Sequence, residues 1–407
     1  MSAPELPDDF LNELPADRVL GVAVSGGSDS MALLHLLLER GVPVSVATVH
    51  HHLRSGADAE IAMVADFCAT HGVPHHTLHW RWGGEGNLQD QARRGRYSAL
   101  SAWARASHIT DVALGHTADD DIETFLMELG RGAGLDGLSG MRPSFKLEGV
   151  TFHRPLLHVR RDMLRDRLMA AGIAWCDDPS NEDTNYQRVL VRQSLTALEA
   201  AGLSRDMITK SLENLRSTRR DLDIQLSRSL DGQFWMEQGD LCFKLDWFDA
   251  ATAESQRRAL KSALQFVSGQ DYPPRGAKLA RVLADLRQKS VLHGCVITSG
   301  HGVLRVGREL AAVASCVTPS TACWDSRWMF AGPHGNSTEI RALGEAGLAQ
   351  CTGDWRSPGL PYASVVASPS VWDGAELLSA PLAGWDGGWR VTLLRDAKDF
   401  GEFILSH

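Results

Sequence analysis

The sequence lacks any closely spaced pair of cysteines. Its seven cysteines are scattered over 407 residues, and no two of them form a C-x-x-C pair. Zinc ribbons, iron–sulfur clusters and the disulfide frameworks of small secreted domains all need cysteines in pairs or close groups. The sequence therefore argues against these three classes of protein.

Positive charge is also in short supply. The chain has 41 Lys and Arg against 50 Asp and Glu, a formal net charge of -9. Contacts with nucleic-acid phosphates depend on Lys and Arg, so this balance argues mildly against nucleic-acid binding. A local basic surface stays open, because Lys and Arg outnumber Asp and Glu between residues 151 and 220.

No apolar run is long enough to span a membrane, and the first twenty residues lack the basic-then-apolar order of a secretory signal. With 43% hydrophobic residues, the chain can build two or three domains with cores of their own. These features predict a soluble, cytoplasmic protein with no membrane partner.

What the sequence does contain is a strand, a glycine turn and a helix close to its start. Residues 19–24 have the length of a buried strand, and the apolar residues from Met31 to Leu38 recur at helical spacing. The first N–H groups of such a helix have no acceptor within it, and glycine lets the chain turn tightly before them. The turn therefore predicts a phosphate site formed by Ser25, Gly26, Gly27, Ser28, Asp29 and Ser30.

Asp29 is the acid of this turn. A carboxylate next to a phosphate needs a cation between the two, which predicts Mg²⁺ bound to Asp29. The alternative is an ordinary strand–helix turn with Asp29 at the helix start. The Gly-Lys-Ser/Thr ending of a Walker loop is absent.

Strands and helices alternate over the first half of the chain. We expect further strands at 43–49, 75–80 and 111–115, separated by helices at 57–70 and 88–106. This alternation predicts an α/β fold with a doubly wound parallel sheet that binds ligands at the carboxyl ends of its strands. The glycine-rich residues 131–141 are expected to form a mobile loop without regular structure.

Polar side chains follow two of these strands. His51 and Arg54 belong to a His-His-His-Leu-Arg run, which fits a solvated strand end better than a metal site, because adjacent residues of a strand point to opposite sides. His116 precedes a helix on which Asp120 and Glu123 share one face. Acids that favour a helix start through its dipole are the alternative for this pair.

Two pairs of arginines lie at helical spacing. Arg93 and Arg96 could bind polyphosphate or RNA, and Arg188 and Arg192 share a face of a later helix. A solvated helix face is the alternative for each pair.

The Ser-Gly-Gly-Ser-Asp-Ser turn resembles the SGGxDS loop of the PP-loop ATP pyrophosphatases, which cleave ATP between the α and β phosphates. Five further motifs follow it, in the order HHxLR, ARxxRY, GHxADDxxET, RGxGxxGLxGM and RPLL, and a sixth, DxSNxDxxYxR, ends this part of the chain. Over residues 18–195 this order resembles the tRNA(Ile)-lysidine synthase family. One departure is that Val189 follows Arg188, where the family usually has Asn.

The resemblance implies an enzyme that uses ATP and Mg²⁺ to activate C2 of the wobble cytidine, position 34, in the isoleucine tRNA with a CAU anticodon. Free L-lysine then replaces the C2 oxygen, which gives lysidine and changes the codon read from AUG to AUA. The alternatives are a tRNA 2-thiolation enzyme of the same superfamily, whose members usually carry cysteine pairs, and a tRNA-binding protein with an inactive ATPase domain.

The resemblance also implies roles for individual residues. The catalytic group would be Asp29, Asp120, Glu123 and Arg188, with the metal on Asp29. ATP would contact the turn from Ser25 to Ser30 together with His51, Arg93 and His116. The tRNA would contact Arg54, Arg96, Arg131, Arg192 and Arg219.

Three domains are expected. Residues 1–205 form the ATP-binding catalytic domain, 206–315 a helical and hairpin domain that binds tRNA, and 320–407 a small α+β domain. The middle segment resembles the family's substrate-binding domain through its LxGC and RE sequences, at Leu292–Cys295 and Arg308-Glu309. A homodimer is left open.

Overall fold

A computed structural model describes residues 4–14, 18–53, 56–84, 88–177, 187–270 and 272–406. The chain forms two compact units, Met1–Arg219 and Arg220–His407. The division into three domains stays a prediction. No helix in the described ranges is long and apolar enough to cross a membrane.

The first unit is an α/β sandwich. Its strands are β1 Leu20–Ala23, β2 Val44–His50, β3 His75–His79, β4 Asp111–Leu114, β5 Ser144–Leu147 and β6 Val150–His153. Its helices are α1 Asp8–Glu13, α2 Ser28–Glu39, α3 Ala57–Thr70, α4 Leu88–Ala106, α5 Ala118–Gly130, α6 Leu135–Leu138, α7 Arg161–Ala170 and α8 Gln187–Ala200, and α9 Arg205–Ser229 runs on past the end of the unit.

The sheet has the order β3-β2-β1-β4-β6-β5, in which only the last pair is antiparallel. The predicted α/β fold with a parallel sheet is confirmed. The edge hairpin β5–β6 was not predicted. Its two turn residues, Glu148 and Gly149, have φ values of 49° and 81°, the positive pair that a tight type I′ hairpin requires.

Helices cover both faces of this sheet. On β4, Val112 and Leu114 pack with Tyr97 and other side chains of α4. The residue between them, Ala113, belongs to the opposite cluster, which contains the buried leucines of α2 and α7. Successive strand residues point to opposite faces, so each strand supports two cores.

β1 and β4 are neighbours in the sheet although they are separated in sequence by two strands and three helices. The strand order reverses between them, and the chain segments that leave their carboxyl ends diverge. Such a switch point is where open α/β sheets bind ligands. The predicted phosphate turn leaves β1, and the predicted acidic helix leaves β4.

The expectation that residues 131–141 lack regular structure is wrong. They include helix α6, and Ser139 is fully buried. Glycine serves close packing in this segment, because a Cβ on Gly140 would lie 2.4 Å from Oδ1 of Asp121. Asp121 also accepts a hydrogen bond from the backbone N–H of Met141 at 2.7 Å, which ties the segment to α5.

The second unit contains antiparallel sheets, with strand orders β7-β8-β11-β10-β9, β12-β14-β15-β16 and β13-β17. The strands are β7 Phe234–Glu237, β8 Asp240–Lys244, β9 Ser290–Leu292, β10 Cys295–Gly300, β11 Val303–Arg308, β12 Thr318–Pro319, β13 Trp328–Ala331, β14 Thr338–Ala342, β15 Pro369–Asp373, β16 Glu376–Ser379 and β17 Arg390–Leu393. The helices are α10 Leu245–Ala250, α11 Ala253–Ser268, α12 Gly276–Ala284, α13 Leu310–Val313, α14 Gly344–Leu348, α15 Tyr362–Val366 and α16 Ala397–Ser406.

The predicted hairpin is confirmed as β10–β11, with Cys295 opposite Arg308. Arg308 donates to the carbonyl oxygen of Gly294 at 2.9 Å and to both carboxylate oxygens of Asp325 at 2.8 and 2.7 Å. The LxGC and RE sequences are therefore joined through a half-buried arginine. This pairing is a structural contact that ties β11 to the chain beyond residue 320.

Candidate functional site at the switch point

The turn after β1 is closed by its own hydroxyl groups. Ser30 donates from Oγ to the carbonyl of Gly27 at 3.0 Å, and its Oγ accepts from the N–H of Ser25 at 3.1 Å. Gly26 has a φ of 87°, in the left-handed region that favours glycine. α2 starts at Ser28 behind Gly27, which supplies no side-chain cap. The first N–H groups of α2 therefore form a ready anion site.

Gly115 brings the end of β4 against this turn. A Cβ on Gly115 would lie 2.9 Å from both the N and the Cα atom of Ser30. Backbone atoms cannot move aside as a side chain can, so the approach requires glycine at this position. The start of α5 is thereby placed next to the phosphate turn.

Asp120 has two tasks at the start of α5. Its Oδ2 accepts from the backbone N–H and the hydroxyl of Thr117, both at 3.0 Å, which closes a capping box. Its Oδ1 lies 3.2 Å from Nη2 of Arg161. One oxygen of the carboxylate stabilises the helix start, and the other points into the site.

Arg161, the first residue of α7, contacts three carboxylates of the site. Its Nε donates to Oδ2 of Asp29 at 2.8 Å, and its Nη1 lies 3.8 Å from Oε1 of Glu123. Together with the Asp120 contact, one guanidinium joins carboxylates from α2 and α5. Arg161 was not among the predicted site residues.

Glu123 is 1% exposed and is surrounded by arginines. Arg192 donates from Nε to its Oε1 at 2.5 Å, and Arg188 lies with Nε 3.1 Å from its Oε2. The two arginines share one face of α8, as predicted from their spacing. The structure thus brings four of the predicted residues, Asp120, Glu123, Arg188 and Arg192, into one ionic network with Asp29.

Burial and charge set the protonation of these acids. For Asp120, burial raises the pKa, but the guanidinium groups of Arg161 and Arg188 outweigh it and hold the pKa below its usual value. For Asp29, burial dominates and raises the pKa despite the pull of Arg161, and the nearby Asp120 adds to the rise. Asp120 is therefore the more firmly ionised of the two.

A cluster of arginines around Tyr97 lies near this network. The guanidinium carbons of Arg93 and Arg96 lie 5.3 and 5.1 Å from the ring centre of buried Tyr97. Arg154 is 8% exposed and donates to the carbonyl of Arg142 at 2.6 Å. Burial raises the pKa of Tyr97, but these arginines outweigh it and lower that pKa to about 8.

His116 interacts both with these arginines and with Asp120. Burial lowers its pKa well below the usual value, and the positive charges of Arg154 and Arg96 lower it further, while Asp120 opposes them. Its imidazole is therefore neutral at physiological pH. Arg154 was missed as a site residue, although the RPLL motif that begins with it was noted.

The remaining predicted residues lie apart from this network. The ring centre of His51 lies 5.6 Å from that of Trp80 in an edge contact. Arg131 donates to Glu128 at 2.6 Å and to Gln187 at 3.4 Å. Arg219 is 8% exposed and lies with Nη1 3.4 Å from the carbonyl of Asp136, which leaves little of it for RNA. Arg54 lies outside the described residues.

Comparison with known proteins decides the family. Residues 6–199 match the family model of the PP-loop domain. A tRNA(Ile)-lysidine synthase of Ruegeria pomeroyi is 45% identical over 412 residues, which cover 98% of this chain and 98% of the relative. This chain belongs to the tRNA(Ile)-lysidine synthase family.

Other members of the tRNA(Ile)-lysidine synthase family match less of the chain. The protein of Hyphomonas neptunium is 37% identical and covers 72% of this chain and 81% of its own length. Among solved structures, a U34-tRNA thiolase of Methanococcus maripaludis matches with a TM-score of 0.45 and 19% identity, over 52% of this chain and 76% of that chain. The resemblance found in the motifs is thus confirmed over nearly the full length of the chain.

The described residues contain no group of three His, Cys, Asp or Glu side chains arranged as metal ligands. The histidines after β2 bond to their neighbours: Nε2 of His50 lies 3.0 Å from Oδ1 of Asp58, and Nε2 of His52 lies 3.0 Å from Nδ1 of His79. Asp29 and Asp120 both bond to the guanidinium of Arg161.

Proposed function

We propose that this protein ligates lysine to C2 of cytidine 34 in the isoleucine tRNA with a CAU anticodon, with ATP cleaved to AMP and pyrophosphate. One observation carries the proposal. An open phosphate turn adjoins a network of three carboxylates and three arginines at the switch point of the sheet, in a chain that matches a tRNA(Ile)-lysidine synthase over 98% of its length.

ATP would place its phosphates at the start of α2, where the backbone N–H groups and the helix dipole favour negative charge. Mg²⁺ fits Asp29 and Asp120, two hard oxygen ligands linked by one guanidinium. Mg²⁺ commonly takes one or two protein carboxylates and completes its shell with phosphates and water. When bound, it would offset the charge of the departing pyrophosphate.

In the first step, the C2 oxygen of the cytidine attacks the α phosphorus. An O–P bond forms, the bond from that phosphorus to the bridging oxygen breaks, and pyrophosphate leaves with the electron pair. Donors fixed in advance stabilise the charge that builds up on the phosphates. The N–H groups at the start of α2 and the guanidinium of Arg188, which is 39% exposed beside Glu123, would serve this task.

In the second step, the ε-amine of lysine attacks C2, and AMP leaves with the former C2 oxygen and its bonding electrons. The ammonium must lose a proton before it is a nucleophile. Asp120 and Glu123 would hold the ammonium between them. One of these two carboxylates would accept the proton as the amine attacks C2.

The tRNA would contact arginines on the surface of the first unit, among which Arg131 is 54% exposed. Arg192, which bonds Glu123, and Arg96, which lies against Tyr97, would meet the anticodon loop at the reaction centre, and Arg54 follows the end of β2 in sequence. Because the proposed substrate is tRNA, we expect the enzyme to act in the cytoplasm. A homodimer stays an open prediction.

The direct test is incubation of the purified protein with labelled lysine, ATP and a transcript of the CAU isoleucine tRNA. We expect label in the tRNA, with one AMP and one pyrophosphate formed per lysine, and no label in a methionine tRNA. Asp29→Asn should abolish incorporation while its thermal unfolding stays cooperative. Transfer of sulfur in place of lysine, or ATP-independent binding alone, would overturn the proposal.

A further inference from the structure

The phosphate turn has no cation of its own. The Walker lysine is absent from its sequence, and the turn itself contains only Ser, Gly and Asp. Backbone N–H groups carry partial charges, whereas a triphosphate carries several full ones. The positively charged side chains that neutralise the triphosphate therefore have to come from another element.

α7 supplies two arginines at this place. Arg161 and Arg165 are four residues apart and therefore lie on one face of the helix. Nε of Arg161 lies 2.8 Å from Oδ2 of Asp29, and Nε of Arg165 lies 3.4 Å from Oγ of Ser28. The two guanidinium groups thus border consecutive residues of the turn.

The position of α7 is fixed by contacts on its other sides. Leu164 and Leu168 are fully buried in the cluster that contains the leucines of α2. The backbone N–H of Arg161 donates to Oδ2 of Asp119 at 2.8 Å, which ties the start of α7 to α5. Beyond α7, the N–H of Cys176 donates to the carbonyl of Gly26 at 2.9 Å, so the chain returns to the turn.

In this structure the two arginines pair with carboxylates, and binding of Mg-ATP would exchange these partners for phosphate oxygens. Arg161 joins Asp29, Asp120 and Glu123, and Arg165 pairs with Asp177 at 2.5 Å with 41% of its side chain exposed. A divalent cation on Asp29 and Asp120 would replace the positive charge of Arg161 there. The freed guanidinium would then lie next to the phosphates that arrive with the cation, and its planar fork suits phosphate oxygens.

We propose that Arg161 and Arg165 bind the β and γ phosphates of ATP, and that Arg161 holds the site's carboxylates in place until the nucleotide arrives. This inference rests on the proposed function in that it takes ATP as the ligand of the turn. It adds two phosphate-binding residues from α7 and gives Arg161 a positioning role in the nucleotide-free protein.

The test compares ATP with AMP, which lacks the β and γ phosphates, as ligands of the full-length protein in isothermal titration calorimetry with Mg²⁺. We expect Arg161→Gln and Arg165→Gln each to weaken ATP binding at least tenfold and to leave AMP binding within twofold of the wild type. Arg160→Gln is the matched control, because Arg160 is the neighbour of Arg161 and pairs with Asp162 at 2.5 Å. This variant should bind both ATP and AMP as the wild type does.

Arg161→Lys, which keeps the charge, guards against a folding defect in Arg161→Gln, and we expect it to restore part of the ATP affinity. Equal loss of ATP and AMP binding, or no loss in either glutamine variant, would overturn the assignment. Failure of lysine transfer in a protein that still shows the ATP-to-AMP difference would overturn the proposed function alone. A wild-type protein that binds no ATP would overturn both.

Discussion

Asp121 and Glu123 are two residues apart on α5, and both are buried and paired with arginine, but they point to different surroundings. Asp121 contacts Arg216 and the N–H of Met141, which places it in the packing between α5, α6 and α9. Glu123 contacts Arg188 and Arg192 inside the site. Buried carboxylates on one helix thus serve structure on one side and the proposed lysine site on the other.

We expect Glu123→Gln to raise the KM for lysine at least tenfold, because it removes one of the two charges that hold the ammonium. It should also lower the free energy of unfolding by about 2 to 3 kcal/mol, less than a fully buried pair would lose, because Arg188 and Arg192 reach solvent. Steady-state kinetics and urea denaturation measure the two effects.

Asp121→Asn is the matched control for this prediction. It should lower the free energy of unfolding by a similar amount, because it weakens the buried pair with Arg216. It should leave the KM for lysine unchanged. A rise in KM in both variants would mean that lysine binding responds to the stability of α5 and not to the charge of Glu123.

His116 gives the folded protein a pH dependence whose sign can be stated. Its pKa is lowered on folding from 6.5, so below about pH 6.5 the unfolded chain binds a proton that the folded chain refuses. The stability is fully present above that pH and falls by about 1.4 kcal/mol per pH unit below it, until the folded-state pKa is reached.

Substitution of His116 by Asn should remove this part of the slope. We expect the free energy of unfolding, measured in urea at pH 7.0 and 5.5, to drop by about 1 kcal/mol less in the variant than in the wild type. If the free energy of unfolding dropped equally in the variant and the wild type, His116 would be protonated in the folded state as it is in the unfolded chain.

At the scale of the elements, the junction of β4 and α5 is tightly constrained. Gly115→Ala would push a Cβ against the backbone of Ser30, so we expect the start of α2 to shift and ATP affinity to fall about tenfold, with a lower Tm. Gly130, at the end of α5, has open space around its Cα. Gly130→Ala should keep wild-type ATP affinity, and equal affinities in the two variants would contradict the close-approach argument.

The order of strands and helices along the first unit was predictable from the sequence, because the apolar residues of these elements recur at the spacing of a strand or a helix. Helix α3 was predicted at its observed bounds. The rule that parallel sheets bind ligands at the carboxyl ends of their strands put the turn at residue 29 and the acids at 120 and 123 at one edge of the sheet, but it did not predict that β1 and β4 are neighbours. Hairpin β5–β6 carried a signal as well, the Glu-Gly turn at 148–149, which was not used.

Arg161 and Arg154 were beyond the reach of the same reasoning. The pairing of Arg161 with Asp29 spans 132 residues and exists because α7 packs on α2. Helical periodicity shows that Leu164 and Leu168 are buried but does not show which helix they meet. Arg154 is a buried arginine, and charged residues are expected at the surface unless their partners are known.

At the scale of the whole molecule, several arginines of the helices after residue 205 are engaged inside the protein. Arg216 pairs with Asp121, and Arg258 is 3% exposed and pairs with Asp223 at 2.9 Å. The basic residues at the start of α12 and along it reach solvent instead, because Leu279 and Val282 form the buried face of this helix. These exposed residues are Arg275, Lys278 and Arg281.

A fragment that ends at residue 219 should keep ATP binding and lose most of its affinity for tRNA. Residue 219 is a better end point than 204, because Arg205 donates to Asp119 at 2.5 Å and Arg216 pairs with the buried Asp121. A fragment ending at 204 would leave Asp121 without that partner and should unfold at a lower temperature. Calorimetry with ATP and thermal denaturation compare the two fragments.

For the full-length protein we expect tRNA binding to weaken steeply with salt, since each phosphate contact releases counterions. Charge reversal at Lys278 and Arg281 should flatten that salt dependence and lower affinity for all tRNAs alike, because contacts with phosphate position the RNA without reading bases. Arg257→Glu is the control, since Arg257 already bonds Glu254 at 2.7 Å. If the fragment of residues 1–219 bound and modified tRNA as well as the whole chain, the second unit would serve stability or assembly.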